Sequence, residues 1–236
     1  MAVQRSHDKA NRSIVRRKIM KILNKKIAAH KSSAAWIQRQ ANDPYVERAK
    51  KEGYRARAAY KIIEMNEKYH FFKNGQVVVD LGAAPGSWSQ YVAREFPKTK
   101  IFAMDLLEIK PINGVEFYQG DFTTDEALRW LEGKLNLKNE SCGTVDVVMS
   151  DMAPNTVGHK KTDHIRQMVL LEYAFDFALH ALKKGGIFVA KSFTGGATND
   201  LVKQIKEHFE NVHYMKPPSS RKDSVEMFIV ATGFRG

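Results

Sequence analysis

The chain has 236 residues, 43% of them hydrophobic, and a formal net charge of +12. This length and composition predict one large globular domain, or one domain with an extension, and exclude a chain that is disordered throughout. No run approaches the ~20 apolar residues that a membrane-spanning helix needs. The single cysteine, Cys142, excludes an intrachain disulfide and a zinc site built from cysteines, which favours a reducing compartment.

Most of the positive charge lies near the N-terminus. Residues 1–52 hold 14 of the 38 Lys and Arg residues but only 4 of the 26 Asp and Glu residues, so the rest of the chain is nearly neutral. Such a segment indicates a polyanionic partner. We interpret residues 1–30 as a basic arm that orders on RNA, with a membrane-surface helix and a mitochondrial transit peptide as alternatives. A secretory signal is excluded because the basic residues are followed by no uninterrupted apolar stretch.

Helices and strands are predicted to alternate along the rest of the chain. A helix is predicted near residues 54–69, after the break at Asn42-Asp43-Pro44. The predicted strands are residues 77–81, 101–104, 115–119, 145–149, 187–190, 212–215 and 227–231. Helical patterns near residues 87–95, 124–135, 165–182 and 199–209 lie between them. This alternation predicts βαβ units and a mostly parallel sheet, and a Pro-rich loop before the last strand permits an antiparallel end.

Polar residues stand where five predicted strands end. These residues are Asp80, Asp105, Asp121, Asp151 and Lys191. Ligands of parallel α/β sheets bind beyond these strand ends. The glycine turn at residues 80–88 lets a ligand lie against the backbone, but it lacks the G-x-G-x-x-G spacing of a dinucleotide site, and Pro85 removes an N–H donor. The turn therefore disfavours an NAD-dependent dehydrogenase and favours a cofactor without phosphates.

Two of these acids suggest an adenosine site. Asp105 can accept hydrogen bonds from both hydroxyls of a ribose, and Asp121 can accept one from the amino group of adenine. Each acid alone has an ordinary alternative, the cap of the next helix. Their placement at successive strand ends favours the adenosine site. S-adenosylmethionine is the common cofactor that contains an adenosine and no phosphate.

Lys191 ends a predicted buried strand, in the segment F-V-A-K-S-F. Because burial disfavours an ammonium, a lysine at such a position is a candidate general base. Asp151 lies in D-M-A-P-N, Glu226 opens the last predicted strand, and Lys61 lies on the helix before the glycine turn. Taken singly, these three side chains could equally be a turn cap, a strand-end acid and a solvated helix face.

The segments 80–88, 150–155, 188–193 and 220–233 resemble the FtsJ family of ribose 2′-O-methyltransferases, and within it the bacterial branch that acts on a uridine of 23S rRNA. The resemblance begins at about Ser32. It implies an FtsJ-like methyltransferase domain at residues 32–236, and residues 1–31, the basic N-terminal arm, lie outside it. The implied fold is α/β and Rossmann-like: a seven-stranded, mostly parallel sheet with an antiparallel last strand and helices on both faces.

The resemblance also implies the site residues. The catalytic tetrad of the family falls on Lys61, Asp151, Lys191 and Glu226, with Lys191 as the base. Its contacts with S-adenosylmethionine fall on Gly86, Trp88, Asp105, Asp121 and Asp151, and we add Gly82 of the glycine turn. No metal is needed. Ser87 and Ala56 stand where Gly and Ser are usual in the family, and they leave the tetrad intact.

The implied partner is RNA, with a uridine of 23S rRNA in the large ribosomal subunit as the methyl acceptor. We expect a monomer in the bacterial cytoplasm that binds neither membrane nor DNA, with mitochondrial targeting of a eukaryotic homologue as an alternative. RNA contacts are expected from the arm, a helix carrying Arg55 and Arg57, the loop 158–161, and Arg221 and Lys222. Two other functions remain open: the same chemistry on tRNA or another RNA, and a non-catalytic RNA-binding factor in ribosome assembly.

Overall fold

The computed structural model describes residues 42–137, 143–154, 159–193 and 199–236. The chain divides into two compact units, residues 1–47 and 48–236. Only residues 42–47 of the first unit are described. The basic arm and the domain boundary expected between residues 31 and 32 therefore lie outside the described residues, as does Gly158. The rest of the expected loop 158–161 is the start of a helix, because His159 caps the helix Lys160–Ala181 and Lys160 and Lys161 are its first two residues.

The described ranges contain six helices and seven strands. The helices are α1 Pro44–Glu52, α2 Ala59–Tyr69, α3 Ser87–Glu95, α4 Asp125–Leu135, α5 Lys160–Ala181 and α6 Asn199–His208. The strands are β1 Val77–Leu81, β2 Lys100–Asp105, β3 Val115–Gln119, β4 Val145–Ser150, β5 Leu182–Phe193, β6 Phe209–Met215 and β7 Glu226–Phe234. No helix in the described part of the chain is long and apolar enough to cross a membrane.

The helix predicted from residue 54 begins only at Ala59, so the prediction that Arg55 and Arg57 lie on a helix was wrong. Both residues lie in the link between α1 and α2. The reason is that their guanidinium groups bind backbone carbonyls elsewhere: Arg55 donates to the oxygens of Pro85, Lys110 and Pro111 at 3.1, 2.6 and 2.8 Å. Arg57 donates to the oxygen of Ser219. These two cations hold loops together, which revises their expected role on an RNA-binding helix.

The fifth strand is also longer than predicted. The helix α5 ends at Ala181, and the glycine pair at 185–186 lies inside β5. Gly185 has φ +81°, a backbone conformation that glycine adopts without strain. The register between β4 and β5 shifts at this place, because Leu182 pairs with Val145 while Ile187 pairs with Val147.

The seven strands form one sheet in the order β3-β2-β1-β4-β5-β7-β6. The pairs from β3 to β5 are parallel, and β7 runs antiparallel to both β5 and β6. The chain moves outward from β1 to β3 and then returns to β4 on the other side of β1. This reversal opens a crevice beyond the carboxyl ends of β1 and β4, which is the place where such sheets bind ligands.

Alternating side chains of the strands pack under helices on both faces of the sheet. Val79, Val148 and Phe188 belong to a buried cluster with residues of α4, α5 and α6. Val78, Val147 and Val189 belong to another with residues of α2 and α3. Side chains two residues apart on a strand point to the same face of the sheet. Asp80 stands two residues after Val78 and Lys191 two residues after Val189, so both point toward α2 and α3. The fold expected from the sequence is confirmed.

Candidate functional site

The glycine turn brings two loops into close contact at the crevice. Gly82 has φ +75°, and a Cβ atom added there would lie 2.5 Å from Cγ of Met152 and 2.9 Å from its backbone. The N–H groups of Gly82 and Ala83 both donate to the oxygen of Met104, at 2.9 and 3.0 Å. Only glycine fits here, because both the positive φ and the short distance exclude a side chain.

A cavity of about 350 Å³ lies beyond the strand ends. Its lining includes Gly82 and Ala84, residues 104–107 and 120–123, residues 151–153, and Leu170. Three of these side chains are carboxylates: Asp105, Asp121 and Asp151. The structure thus brings together four of the residues predicted to contact a cofactor, since Gly82 also lines the cavity.

The backbone holds Asp105 and Asp121 in place. The N–H groups of Ala84 and Leu107 donate to the two carboxylate oxygens of Asp105, each at 2.8 Å. Oδ1 of Asp121 accepts from N and Oγ1 of Thr123 at 2.9 and 2.8 Å. The cap of α4 is Thr124, whose Oγ1 accepts from the N–H of Ala127, so Asp121 does not have the helix-capping role. Carboxylate oxygens accept more than one hydrogen bond, which leaves both acids able to bind a ligand.

Gly86 and Trp88 are placed differently. Both lie at the start of α3, and neither is among the described residues that line the cavity. The indole of Trp88 is 2% exposed, donates from Nε1 to the oxygen of Ala58 at 2.9 Å, and packs 5.7 Å from the ring of Phe228. Its side chain therefore belongs to the core under α2 and α3, and its assignment to the cofactor stays a prediction.

The four residues of the expected tetrad come together beside the cavity. Nζ of Lys191 lies 2.5 Å from Oδ1 of Asp151 and donates to its backbone oxygen at 2.9 Å. Nζ of Lys61 lies 3.6 Å from Oδ2 of Asp151 and 2.9 Å from Oε2 of Glu226. The result is a continuous chain of opposite charges in which Asp151 lies between two ammonium groups.

These four side chains come from four different elements. Lys61 lies in the first turn of α2, Asp151 directly follows β4, Lys191 lies near the end of β5, and Glu226 begins β7. Lys191 pairs with Phe228 across the antiparallel β5–β7 ladder, and Phe193 pairs with Glu226. Nζ of Lys61 also lies 5.4 Å from the ring centroid of Phe228, within reach of a cation–π contact.

Burial and charge act in opposite directions on these groups. Burial alone would raise the pKa of the Asp151 carboxyl, but the ammonium groups of Lys191 and Lys61 outweigh it, and the pKa lies below its ordinary value. Burial alone would lower the pKa of Lys61, but the carboxylates of Asp151 and Glu226 outweigh it and the pKa is raised. Asp151 is therefore an anion and Lys61 a cation near neutral pH.

Two buried polar residues of this region were not assigned a role from the sequence. Gln167 of α5 is 2% exposed, and its Nε2 donates to the oxygens of Lys191 at 3.1 Å and of Met152 at 3.3 Å. Asp80 was noted only as a strand end. Its Oδ2 accepts from N and Oγ of Ser89 at 3.1 and 2.6 Å, and burial, together with the charge of Asp151, raises its pKa to about 7. A polar residue within a buried pattern is the signal that would have identified both.

Residues 42–137, 143–154, 159–193 and 199–236 contain no group of three or more His, Cys, Asp or Glu side chains that could hold a metal ion. The close charged neighbours of Asp151 are the two lysines Lys61 and Lys191, and their positive charges would repel a metal cation. Amines and carboxylates in such close contact are able to exchange protons.

Comparison with known proteins identifies the family. The model of the FtsJ-like methyltransferases matches residues 54–234. Ribosomal RNA large subunit methyltransferase E from Erythrobacter litoralis is 53% identical over 205 residues, which cover 87% of this chain and 90% of that protein. The protein of the same name from Azorhizobium caulinodans is 51% identical over 209 residues, which cover 87% of this chain and 85% of that protein.

Solved structures agree with this. A chain from Plasmodium falciparum, described as a ribosomal RNA methyltransferase, is 32% identical, with a TM-score of 0.68 over 78% of this chain and all of that chain. A fibrillarin/Nop5p complex, at 19% identity and a TM-score of 0.52, shares the fold alone. Since the family model covers most of the chain and the relatives match about half of its residues over that length, the chain belongs to the FtsJ-like methyltransferase family.

Proposed function

We propose that this chain methylates the 2′ oxygen of a uridine ribose in 23S rRNA of the large ribosomal subunit, as a monomer in the bacterial cytoplasm. Methyl transfer follows from the family, and the names of the relatives support a ribosomal RNA substrate. The observation that carries the proposal is the position of Asp151. It lines the cavity and also contacts the two lysines beside it.

S-adenosylmethionine is the methyl donor of this family, and the cavity fits it. A volume of about 350 Å³ is in the usual range for small-molecule sites. Asp105 and Asp121 offer oxygens to the hydroxyls and amino group of an adenosine. Gly82 and Met152 both line this cavity, and because a Cβ at Gly82 would meet Met152, glycine is needed for these two parts of the wall to lie this close together. When bound, this cofactor supplies an electrophilic methyl group on a positively charged sulfur.

Lys191 is the group that we assign as the base. A ribose hydroxyl is a weak nucleophile, and removal of its proton during attack lowers the barrier. The contacts of Nζ with Oδ1 and with the backbone oxygen of Asp151 use two of the three positions on the nitrogen. In the amine form the remaining lone pair can accept the proton of the 2′ hydroxyl.

Asp151 has two roles in this proposal. Its carboxylate and carbonyl oxygens fix the direction of Lys191, and its negative charge, maintained by the two lysines, favours the positively charged sulfur in the neighbouring cavity. Lys61 and Glu226 form the outer pair of the cluster. Lys61 contacts Asp151 from the other side and is itself bound by Glu226, and the two side chains offer one donor and one acceptor group to the ribose hydroxyls.

The test is methyl transfer from labelled S-adenosylmethionine to purified large ribosomal subunits, to naked ribosomal RNA and to tRNA, followed by mapping of the modified ribose. We expect a single labelled uridine in 23S rRNA and no label when Lys191 is replaced by Met. Label on tRNA alone would replace the proposed substrate by the alternative RNA. RNA binding without any transfer, under conditions where the cofactor binds, would support the non-catalytic assembly factor.

A further inference from the structure

Ser219, in the connection between β6 and β7, is fixed through all of its polar groups. Its N–H and its Oγ both donate to Oε2 of Glu64, at 2.8 and 2.7 Å. Its carbonyl oxygen accepts from Nη2 of Arg57. Ser219 is only 1% exposed, so these bonds are protected from water. A single serine is thus held by α2 and by the link that precedes it.

Glu64 lies three residues after Lys61 on α2, and residues at this spacing share one side of a helix. The helix therefore contacts the segment that leads into β7 at two points. Glu64 binds Ser219, and Lys61 binds Glu226, the first residue of β7, with 2.9 Å between Nζ and Oε2. The second contact belongs to the proposed catalytic cluster and the first does not.

The segment between the two points is tied by its own hydrogen bonds. Nζ of Lys216 donates to the carbonyl oxygens of Lys222 and Ser224 at 3.2 and 2.6 Å. The N–H of Ser224 donates to the oxygen of Arg221 at 3.0 Å, and Oγ of Ser224 accepts from the N–H of Glu226 at 3.2 Å. These bonds connect the start of the segment that carries Ser219 with Glu226 at its end.

We propose that Glu64 is a positioning residue for methyl transfer, which by binding Ser219 sets the place at which Glu226 meets Lys61. This inference rests on the proposed function. Glu64 touches none of the reacting groups in it: its effect passes through Ser219, the loop 216–225 and Glu226 to Lys61, and from Lys61 to Asp151. The role needs an acceptor oxygen at Oε2, and it does not need a negative charge.

The test compares Glu64→Ala with Glu64→Gln in the full-length protein. Gln keeps an acceptor oxygen for both donors of Ser219, whereas Ala removes it. We expect Glu64→Ala to lower kcat for the RNA by about 10- to 100-fold, the cost of a displacement near 1 Å, with the Kd of S-adenosylmethionine unchanged. We expect Glu64→Gln to restore kcat to within about threefold of wild type. The control is Glu67→Ala, an exposed acid of the same helix.

Hydrogen exchange of peptides that cover residues 216–226 provides a readout without catalysis. Exchange should accelerate in Glu64→Ala and remain slow in Glu64→Gln and Glu67→Ala. If Glu64→Ala accelerates exchange and still transfers methyl groups at the wild-type rate, Glu64 only anchors the loop and the positioning role is overturned. A kcat for Glu64→Gln as low as that of Glu64→Ala also overturns it. A wild-type protein that transfers no methyl group to any RNA contradicts the proposed function instead.

Discussion

Asp151 holds the side chain of Lys191 through two atoms, with 2.5 Å between Nζ and Oδ1 and 2.9 Å between Nζ and the backbone oxygen. The amine of Lys191 therefore points from β5 toward the residue that directly follows the neighbouring strand β4. This contact is the basis of the first prediction. Replacement of Lys191 by Met keeps the length of the side chain and removes the proton acceptor.

We expect Lys191→Met to lower kcat by at least about 100-fold, the usual contribution of a general base. Binding of S-adenosylmethionine should change little, because the carboxylates of the cavity remain. Single-turnover transfer of labelled methyl groups and calorimetry measure the two effects. Lys184→Met, at an exposed lysine of the same strand, is the control. Wild-type turnover in Lys191→Met would remove this lysine from the role of base.

Asp105→Asn should weaken cofactor binding and leave the chemistry intact. The asparagine keeps one acceptor oxygen, but it loses the charge and the second acceptor that a ribose diol requires. Hydrogen bonds to a charged group contribute about 1.5–3 kcal/mol, so the Kd of S-adenosylmethionine should rise about 10- to 100-fold. Calorimetry measures the Kd, and the exposed Asp125→Asn serves as the control. An unchanged Kd would contradict the assignment of Asp105 to the cofactor.

Gly82→Ala should lower both stability and cofactor affinity. The added Cβ would lie 2.5 Å from Cγ of Met152 at a residue with φ +75°. Gly114 provides a matched control, since it has φ +80° and a Cβ there would have nothing within 4 Å. Gly114→Ala should cost about 1 kcal/mol for the backbone alone, and Gly82→Ala about 1–3 kcal/mol more. Equal losses of unfolding free energy in urea would show that the contact with Met152 is relieved without cost.

Asp80 gives the protein a pH dependence of stability that can be tested without a substrate. Burial raises its pKa from the ordinary value of 3.8 to about 7, so the folded chain binds this proton more tightly than the unfolded chain. The neutral carboxyl makes its whole contribution to the free energy of unfolding below about pH 4. This contribution decreases as the pH rises to about 7, and above that pH it no longer changes. The loss amounts to at most about 4 kcal/mol.

Asp80→Asn retains an acceptor for Ser89 and cannot ionise, so it should be free of this loss. We expect its advantage in unfolding free energy over wild type to grow between pH 4 and pH 8 in the absence of the cofactor. Urea unfolding at both pH values measures it. The same difference between the two proteins at pH 4 and pH 8 would show that Asp80 does not titrate in this range.

The basic arm should control RNA affinity through its charge. Deletion of residues 1–31 removes cations that would neutralise phosphates, so the affinity for ribosomal RNA should fall and its dependence on salt concentration should become shallower. Filter binding over a range of salt concentrations measures the slope. An unchanged slope would assign RNA binding to the remaining domain, for instance to Arg221 and Lys222.

The sheet and the strand-end positions of the site were predicted from local patterns, whereas Lys61 and Glu226 were assigned to the cluster by the resemblance to the family. A β-branched run that stops at a glycine identifies β1, and Asp105, Asp151 and Lys191 are found at strand ends by their position alone. Arg55, Arg57 and Glu64 could not be interpreted in this way. Their partners lie 30 to 162 residues away in the chain, and nothing in a local pattern says that a guanidinium will bind the carbonyls of Pro85 or Ser219.

The direction of β7 determines which of its two ends lies beside the proposed tetrad. The parallel strands end at one edge of the sheet, and β7, which runs against its neighbours, starts at that edge. Glu226 therefore contributes as the first residue of its strand, although Asp151 follows the end of β4 and Lys191 lies near the end of β5. If β7 ran in the opposite direction, its last residue, Phe234, would lie at this edge of the sheet instead of Glu226. The connection between β6 and β7 consequently lies at the edge of the sheet where the proposed tetrad stands, and we expect a change in its length to alter methyl transfer.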